Sequence, residues 1–379
     1  MAASLVERRT AELVGRCYAG LDLVRLREEV VRRLRRLVPA DASFFATVDP
    51  ASLLFTSAVA EEPLGAETAR FLDNEFGRPD VNKFAALATS DDPVATLGRA
   101  TRGDLAASAR YQEIMAPLGL GDELRAALSV GGSCWGVLCL HREQSDTGFE
   151  DRDLAVLRTI APHLAEGLRR TIALGLTDGA TAGPLPAQAP GVIVLDDALE
   201  VMSTSPEARE WLDRMDPSDF PHRAQLPFAV YAVAARLARL DDGAAGDVPP
   251  AVVRVRDRYG RWCTLHAARL SGPPQPQTAV IVEPAPAQLR SSLLLSALGL
   301  TEAQTRVAAL VLRGFSTREI TAQLFISTNT VQEHLTAVFD RLGVRSRREL
   351  VAVAADGARK PHARRPPPEG VTTSQTASR

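Results

Sequence analysis

The chain has 379 residues, 45% hydrophobic and 24% charged, an ordinary globular mixture that at roughly 100–200 residues per domain predicts two or three folded domains. The formal net charge of −2 hides a polarised molecule: residues 291–379 carry 12 Lys+Arg against 7 Asp+Glu, net +5, which leaves −7 on the rest. A basic C-terminal end suits a polyanion; an acidic body does not.

Glu7, Arg8 and Arg9 stand where a secretory leader would place its apolar stretch, which argues against export by that route. The most apolar stretch, Ala126 to Leu140, is interrupted by Ser129, Gly131, Gly132 and Ser133 and is shorter than the about 20 residues a membrane span needs. Four cysteines, Cys17, Cys134, Cys139 and Cys263, form no Cys-x-x-Cys pair and fit a reducing, cytoplasmic setting without membrane contact.

In chain order, Asp22 to Leu37 places Leu23, Leu26, Val30, Val31, Leu34 and Leu37 at three-four spacing and reads as an amphipathic helix capped by Asp22. Ser43–Val48 and Leu53–Val59 flank the turn composition Asp49-Pro50-Ala51-Ser52 and read as a hairpin. Glu123–Val130 and Cys134–His141 form a second one, joined at Gly131-Gly132, where glycine supplies the positive φ of a tight turn. From Phe149 to Arg169 a long helix lines up Leu154, Leu157, Ile160, Ala161, Leu164 and Leu168. This order of helix, hairpin, intervening helices, hairpin and long closing helix resembles the GAF fold over about Leu21 to Thr171. Trp135-Gly136-Val137-Leu138 and Phe149-Glu150-Asp151-Arg152-Asp153-Leu154-Ala155 are similar to that family's ending.

A Pro/Gly/Ala/Thr-rich stretch from Thr177 to Pro190 reads as a linker, as does the shorter Pro284–Gln288. Between them lie a strand at Val192–Asp196, helices at Pro206–Leu212 and Pro227–Leu240, and strands at Val252–Val255, Trp262–Ala267 and Thr278–Val282. The block resembles a PAS-type sensory domain, with Tyr259-Gly260-Arg261-Trp262 similar to that family's Gly-x-Trp hairpin.

Enzymatic signatures are missing from the sequence. There is no Gly-x-Ser-x-Gly elbow, Gly-Lys-Ser/Thr loop or GxGxxG after a strand. The six histidines, His141, His163, His222, His266, His334 and His362, show no metal spacing with one another or with cysteine. His163 has no ATP-binding motif beside it that would make it a phosphoacceptor, so a structural or solvent role is expected. Alternation along one strand sends Cys134 and Cys139 to opposite faces, and Glu61-Glu62 and Asp241-Asp242 read as solvated pairs. No catalysis, metal or cofactor is expected.

The C-terminal region differs because its local signals agree. Thr301-Glu302-Ala303-Gln304 is a capping box that opens a helix running to Arg313 before Gly314. Ser316-Thr317-Arg318-Glu319 opens a second helix, Ser327 caps a third, and Ser346-Arg347-Arg348-Glu349 opens a fourth after Leu342-Gly343. Four capped helices with a short turn between the second and third make a helix-turn-helix layout. On the third helix Val331, Leu335, Val338 and Leu342 share one face at about 100° per residue, opposite Asn329, Gln332, Glu333 and Thr336. Asn329 and Gln332 can pair bidentately with adenine and Glu333 can accept from cytosine, so with Thr336 they are the candidate base readers. Arg318, Ser327, Thr330, Arg341, Arg345 and Arg347 are the candidate phosphate contacts. His334, beside the apolar seam, is expected to pack or to sit on the phosphate side.

This region closely resembles the DNA-binding domain of LuxR/GerE-type transcriptional regulators. The carriers are Leu300-Thr301, Gly314-x-Ser316, Arg318-Glu319-Ile320, Leu324, Ile326-Ser327, Thr330-Val331, His334, Leu342-Gly343-Val344 and Arg347. Departures are Ala303-Gln304 in place of Arg-Glu, Arg306 in place of Glu, Thr321 in place of Ala and Gln332 in place of Lys. The expected fold class is therefore multidomain α+β: GAF-like and PAS-like antiparallel-sheet sensory domains, then an all-α four-helix LuxR-type helix-turn-helix domain. The expected divisions are 1–176 GAF-like, 177–190 linker, 191–285 PAS-like, 286–297 linker, 298–357 helix-turn-helix and 358–379 disordered basic tail. The resemblance implies a sequence-specific regulator with double-stranded promoter DNA, a second copy bound through Arg347–Ala355, RNA polymerase and a small-molecule ligand as partners. A signalling relay working by protein contacts alone is the alternative. RNA binding would want more stacking aromatics than Phe315, Phe325 and Phe339.

Overall fold

Ser4 accepts from the Glu7 amide while Glu7 reaches back to the Ser4 amide, and this reciprocal cap starts helix α1 (Leu5–Cys17). The computed structural model describes residues 4–144, 147–178, 189–217, 220, 226–241, 249–271 and 276–356. Most of the first expected linker, the basic tail, Asp242, His222 and His362 lie outside them. Helix α2 (Leu23–Leu34) follows, capped by Asp22 on the Arg25 amide.

The first sheet is antiparallel in the order β2-β1-β5-β4-β3. It comprises β1 (Ala42–Val48), β2 (Phe55–Ala60), β3 (Val94–Thr96), β4 (Leu120–Val130) and β5 (Ser133–Glu143). Gly131 and Gly132 take φ of 62° and 75° in the β4–β5 turn, as a two-residue hairpin turn with both central residues left-handed requires. Between β2 and β4 the chain runs through short helices α3 (Thr68–Leu72), α4 (Phe84–Thr89) and α5 (Leu97–Ala100) and two π-type turns, Asp73–Gly77 and Tyr111–Met115.

Helix α6 (Asp151–Asp178) extends beyond the expected Arg169. The six apolar residues expected on its inner face are buried. A Cβ on Gly136 would stand 2.4 Å from Leu168 Cδ1, so this glycine lets α6 lie directly on the sheet.

The second sheet repeats the strand order of the first, β7-β6-β10-β9-β8. Its strands are β6 (Gly191–Leu195), β7 (Val201–Thr204), β8 (Val252–Arg256), β9 (Trp262–Leu270) and β10 (Gln277–Pro284), with α7 (Pro206–Leu212) and α8 (Phe228–Asp241) between β7 and β8. Helix α8 is apolar nearly all round; Ala229, Val230, Ala232, Val233, Ala234 and Ala235 are all buried, the mark of a helix enclosed on several sides. It lies between the two sheet regions and belongs to one core with the inner face of the first sheet and the second sheet.

Residues 286–297, expected as linker, form α9 (Ala287–Ala297). Helices α10 (Glu302–Leu312), α11 (Thr317–Leu324), α12 (Thr328–Leu342) and α13 (Arg347–Asp356) follow it. Leu293, Leu294, Leu295 and Ala297 of α9 join the core of α10–α13 to that of α1, α2 and α6, so one apolar core runs from the first domain into the C-terminal helices.

Two sequence expectations are corrected. A bulge between Leu128/Ser129 and Gly136/Cys134 shifts the alternation, and Cys134 and Cys139 both enter the inner core while Trp135 enters the outer one. Glu61 is not simply solvated: it accepts from the Arg35 guanidinium and from Ser43 Oγ, each at 2.5 Å. Asp241 likewise pairs with Arg269 at 2.8 Å. His163 accepts or donates through Nδ1 to the Tyr18 hydroxyl at 2.9 Å, a structural contact.

Candidate nucleic-acid interface

Each helix of the C-terminal region begins on a side-chain cap. Thr301 and Gln304 close a full capping box on α10, as Ser316 and Glu319 do on α11. The Ser316 hydroxyl and amide hold the Glu319 carboxylate below its usual range. On α13 the expected box is only half made: Ser346 Oγ accepts from the Glu349 amide, but Glu349 reaches the Arg345 amide at 2.7 Å instead. Helix α11 ends on Phe325 in the left-handed region, φ 54° and ψ 43°. Its ring is 94% exposed. The turn then delivers the chain to Ser327, which accepts from the Thr330 amide and starts α12.

Helix α12 is divided as its periodicity requires. Val331, Leu335, Val338 and Leu342 are buried, whereas Asn329, Gln332, Glu333 and Thr336 are exposed. Two of these polar side chains hold each other: Asn329 Nδ2 donates to Glu333 Oε1 at 2.7 Å. Thr336 Oγ1 donates to the Gln332 backbone carbonyl at 3.0 Å, and the Gln332 side chain is exposed. Ser327 and Thr330 share a 2.8 Å hydroxyl contact at the start of the helix, where unpaired amides and the helix dipole favour an anion.

The six candidate phosphate residues are not equivalent. Arg318 and Arg345 are exposed and Arg347 is half-buried. Arg341 is committed: its Nη1 donates to the Leu298 and Gly299 carbonyls at 3.0 and 2.6 Å, tying the end of α12 to the α9–α10 turn. On that turn Arg169 of α6 donates to the Ala297 carbonyl. Two guanidiniums from different elements thus fix where the helix-turn-helix leaves the body.

Sequence reasoning missed the polar groups buried in the first domain. On the inner face of β4, Glu123 accepts from Arg110 (Nη2, 2.7 Å) and Arg125 (Nε, 3.0 Å), and Arg125 continues to Glu75 at 2.8 Å. All four are buried. Burial alone would raise the carboxyls of Glu75 and Glu123, but the surrounding guanidiniums outweigh it and hold both below their usual range. Cys139 and His141 lie beside Glu123, their ligand atoms within 4.8 Å of one another. No residue spacing announced this group, because pairing of β4 with β5 creates it. Burial lowers the His141 imidazole to about 4 against the pull of Glu123, and burial raises the Cys139 thiol. With two guanidiniums already on the same carboxylate, a further cation there would meet concentrated positive charge.

A second missed contact joins the domains. Arg254 of β8 grips Asp49 in the β1–β2 turn through Nε at 2.7 Å and through Nη2, and donates from Nη1 to the Leu289 carbonyl and Ser292 Oγ of α9, both at 2.8 Å. One buried side chain therefore touches all three folded parts.

Residues 298–354 match the family described as bacterial regulatory proteins, luxR family, and residues 22–168 match the GAF domain. HTH-type transcriptional regulators of Mycobacterium bovis and Mycobacterium tuberculosis are 46% identical to this chain over 56 residues, 15% of it. The match spans only 6% of the length of those relatives. Among solved structures, the LBD domain of VqsR from Pseudomonas aeruginosa is 18% identical, covering 43% of this chain and 95% of that one, with a TM-score of 0.32. The GAF domain of a phosphoenolpyruvate-protein phosphotransferase from Coxiella burnetii is also 18% identical, covering 45% and 96%, at 0.32. Among the described residues no helix is long and apolar enough to cross a membrane.

Proposed function

We propose that this chain, which carries a GAF domain at 22–168 and a LuxR-type helix-turn-helix at 298–354, is a cytoplasmic, sequence-specific DNA-binding transcriptional regulator whose sheet domains control its C-terminal helices. The observation that carries the reading is the division of α12: one face buried in the helix-turn-helix core, the other presenting Asn329, Gln332, Glu333 and Thr336 to solvent beside a capped helix start. A helix with such a face enters the major groove N-terminal end first. Gln332 is the natural adenine reader, while the Asn329–Glu333 pair would open or shift as a unit to reach base edges.

Phosphate anchoring falls to Ser327, Thr330, Arg318, Arg345 and Arg347, while Arg341 serves chiefly as the tie to the α9–α10 turn. Partners on this reading are double-stranded promoter DNA, RNA polymerase and a second copy of the chain. Helix α13 buries Leu350, Val353 and Ala354 against its own domain and leaves Val351 outward, which supports pairing through its outer face. The middle sheet repeats the strand order of the first, which supports its reading as a second, PAS-like input domain. No catalytic step is assigned: among the described residues Glu123 is the carboxylate grouped with a buried thiol and imidazole, and it is engaged by Arg110 and Arg125.

The test is selection of the full-length chain on random duplex DNA. A discrete enriched site with two related half-sites is expected. A folded chain that enriches none at low salt would support the protein-contact relay instead.

A further inference from the structure

Inside the first sheet domain, the void beside His141 measures about 10 Å³, the space of at most one water. Where that domain meets the C-terminal helices, a cleft of about 400 Å³ opens instead. This lies within the range of small-molecule sites, which favour domain junctions. The cleft runs between the chain that follows α1, the second half of α6, the end of α9 and the end of α12.

Two observations define its occupant. The first is charge. Arg169 and Arg170 of α6 and Arg341 of α12 line the cleft, and among the described residues no aspartate or glutamate does. Glu166, one turn back on α6, accepts from Arg169 at 2.7 Å and from Arg170 at 2.6 Å, so a single carboxylate answers two of the three guanidiniums. Arg169 and Arg341 also converge: a Cβ on Gly299 would stand 2.9 Å from Nη1 of the first and 3.3 Å from Nη1 of the second. Like charges brought together repel, and an anion beside them relieves the repulsion. Arg170 and Arg341 are exposed, and with five N–H donors each they have capacity beyond their bonds to Glu166 and to the Leu298 and Gly299 carbonyls. The second observation is the rest of the wall, which is apolar: Leu21, Leu26, Leu174, Leu298 and the ring of Tyr18. Leu174 is 50% exposed and Tyr18 42%, apolar surface that a bound molecule would cover.

We propose that this cleft binds a small organic anion, an apolar body carrying one carboxylate, whose head is held by the arginines and whose body covers Leu174 and Tyr18. Planar guanidinium forks suit a carboxylate. The bound head competes with the Leu298 and Gly299 carbonyls for Arg341, so occupancy loosens the tie between α12 and the α9–α10 turn and changes DNA affinity. This coupling rests on the DNA-binding reading; the site itself does not.

The probe is 2-naphthoate, an apolar body with one carboxylate, titrated calorimetrically into the full-length chain beside its neutral analogue 2-naphthamide. Saturable one-to-one binding of the naphthoate is expected, with the amide weaker by about tenfold or more, as loss of charge-assisted hydrogen bonds requires. Arg170→Gln and Leu174→Asp, both at exposed positions of α6, should each weaken the naphthoate by about fivefold or more. No saturable binding to the wild-type chain overturns the site. So does an amide that binds within about fivefold of the naphthoate, or a loss short of about fivefold in either folded variant; if one variant does not fold, the other decides. Saturating naphthoate should shift the affinity for the selected DNA by about fivefold or more, and an unchanged affinity overturns the coupling. A chain that binds naphthoate but no DNA refutes the DNA-binding reading and leaves the site standing.

Discussion

The first sheet domain and the helix-turn-helix are both rich in polar side chains, and they use them in opposite ways. Glu75, Arg110, Glu123 and Arg125 are buried and bonded to one another. Asn329, Gln332, Glu333 and Thr336 stand on a solvent-facing stripe whose side-chain bonds, among the described residues, stay within α12. Polar groups that satisfy each other inside a fold fix that fold. Those left at the surface of a rigid helix are available to a partner, so substitutions in the two regions should separate stability from binding.

The largest effect belongs to the buried network. Glu123→Ala strands two guanidiniums in the core and should cost about 3–5 kcal/mol, read as a drop in the denaturant midpoint. A loss under about 1 kcal/mol would mean that Arg110 and Arg125 find other partners or solvent.

Next comes acid. His141 has its folded value lowered to about 4 from an ordinary 6.5, so the unfolded chain binds the extra proton first as pH falls. Stability should be intact above about pH 6.5 and decline towards pH 4, by about 3 kcal/mol at most. Glu75 and Glu123, held low, add their own loss only below the ordinary carboxylate range. Urea titrations of wild type and His141→Gln between pH 7 and 5 isolate the histidine; equal slopes for the two chains would refute its part.

On the exposed face, Gln332→Ala should leave the midpoint unchanged and cost about 1–3 kcal/mol on the selected site, with binding to random DNA hardly altered. The smallest effect is local. Phe325→Asn puts a residue tolerant of left-handed backbone where an exposed Phe now sits, and thermal melts should show a gain of up to about 1 kcal/mol.

The helix-turn-helix was legible because its signals are local: caps at Thr301, Ser316 and Ser327, a terminating glycine at 343, and a 3.6-residue apolar period. Four strands of the second sheet, β6, β8, β9 and β10, were legible as apolar runs for the same reason, whereas β7 (Val201–Thr204), with no fully buried residue, was not. Helix α9 was not. It follows Pro-Ala-Pro, has no side-chain cap, and packs against α6, α10 and α13, so it shows no polar stripe to mark its period. The α1 cap at Ser4 and Glu7 was present in the sequence but was read only for what it excluded. The Asp49–Arg254 pair spans 205 residues, and the Glu123–Cys139–His141 group depends on strand register, so neither had a sequence signature. The same holds for Arg341, whose type suits phosphate but whose position at the end of α12 gives it two backbone carbonyls.

The most direct test of DNA reading by the exposed face of α12 is parallel selection of wild-type and Gln332→Ala full-length chains on random duplex DNA. The expected result is a two-half-site motif for wild type and loss of base preference at one position per half-site for the variant, with equal stability. An identical motif from both chains would show that the solvent-facing stripe of α12 does not read DNA through Gln332 and would contradict the proposed docking.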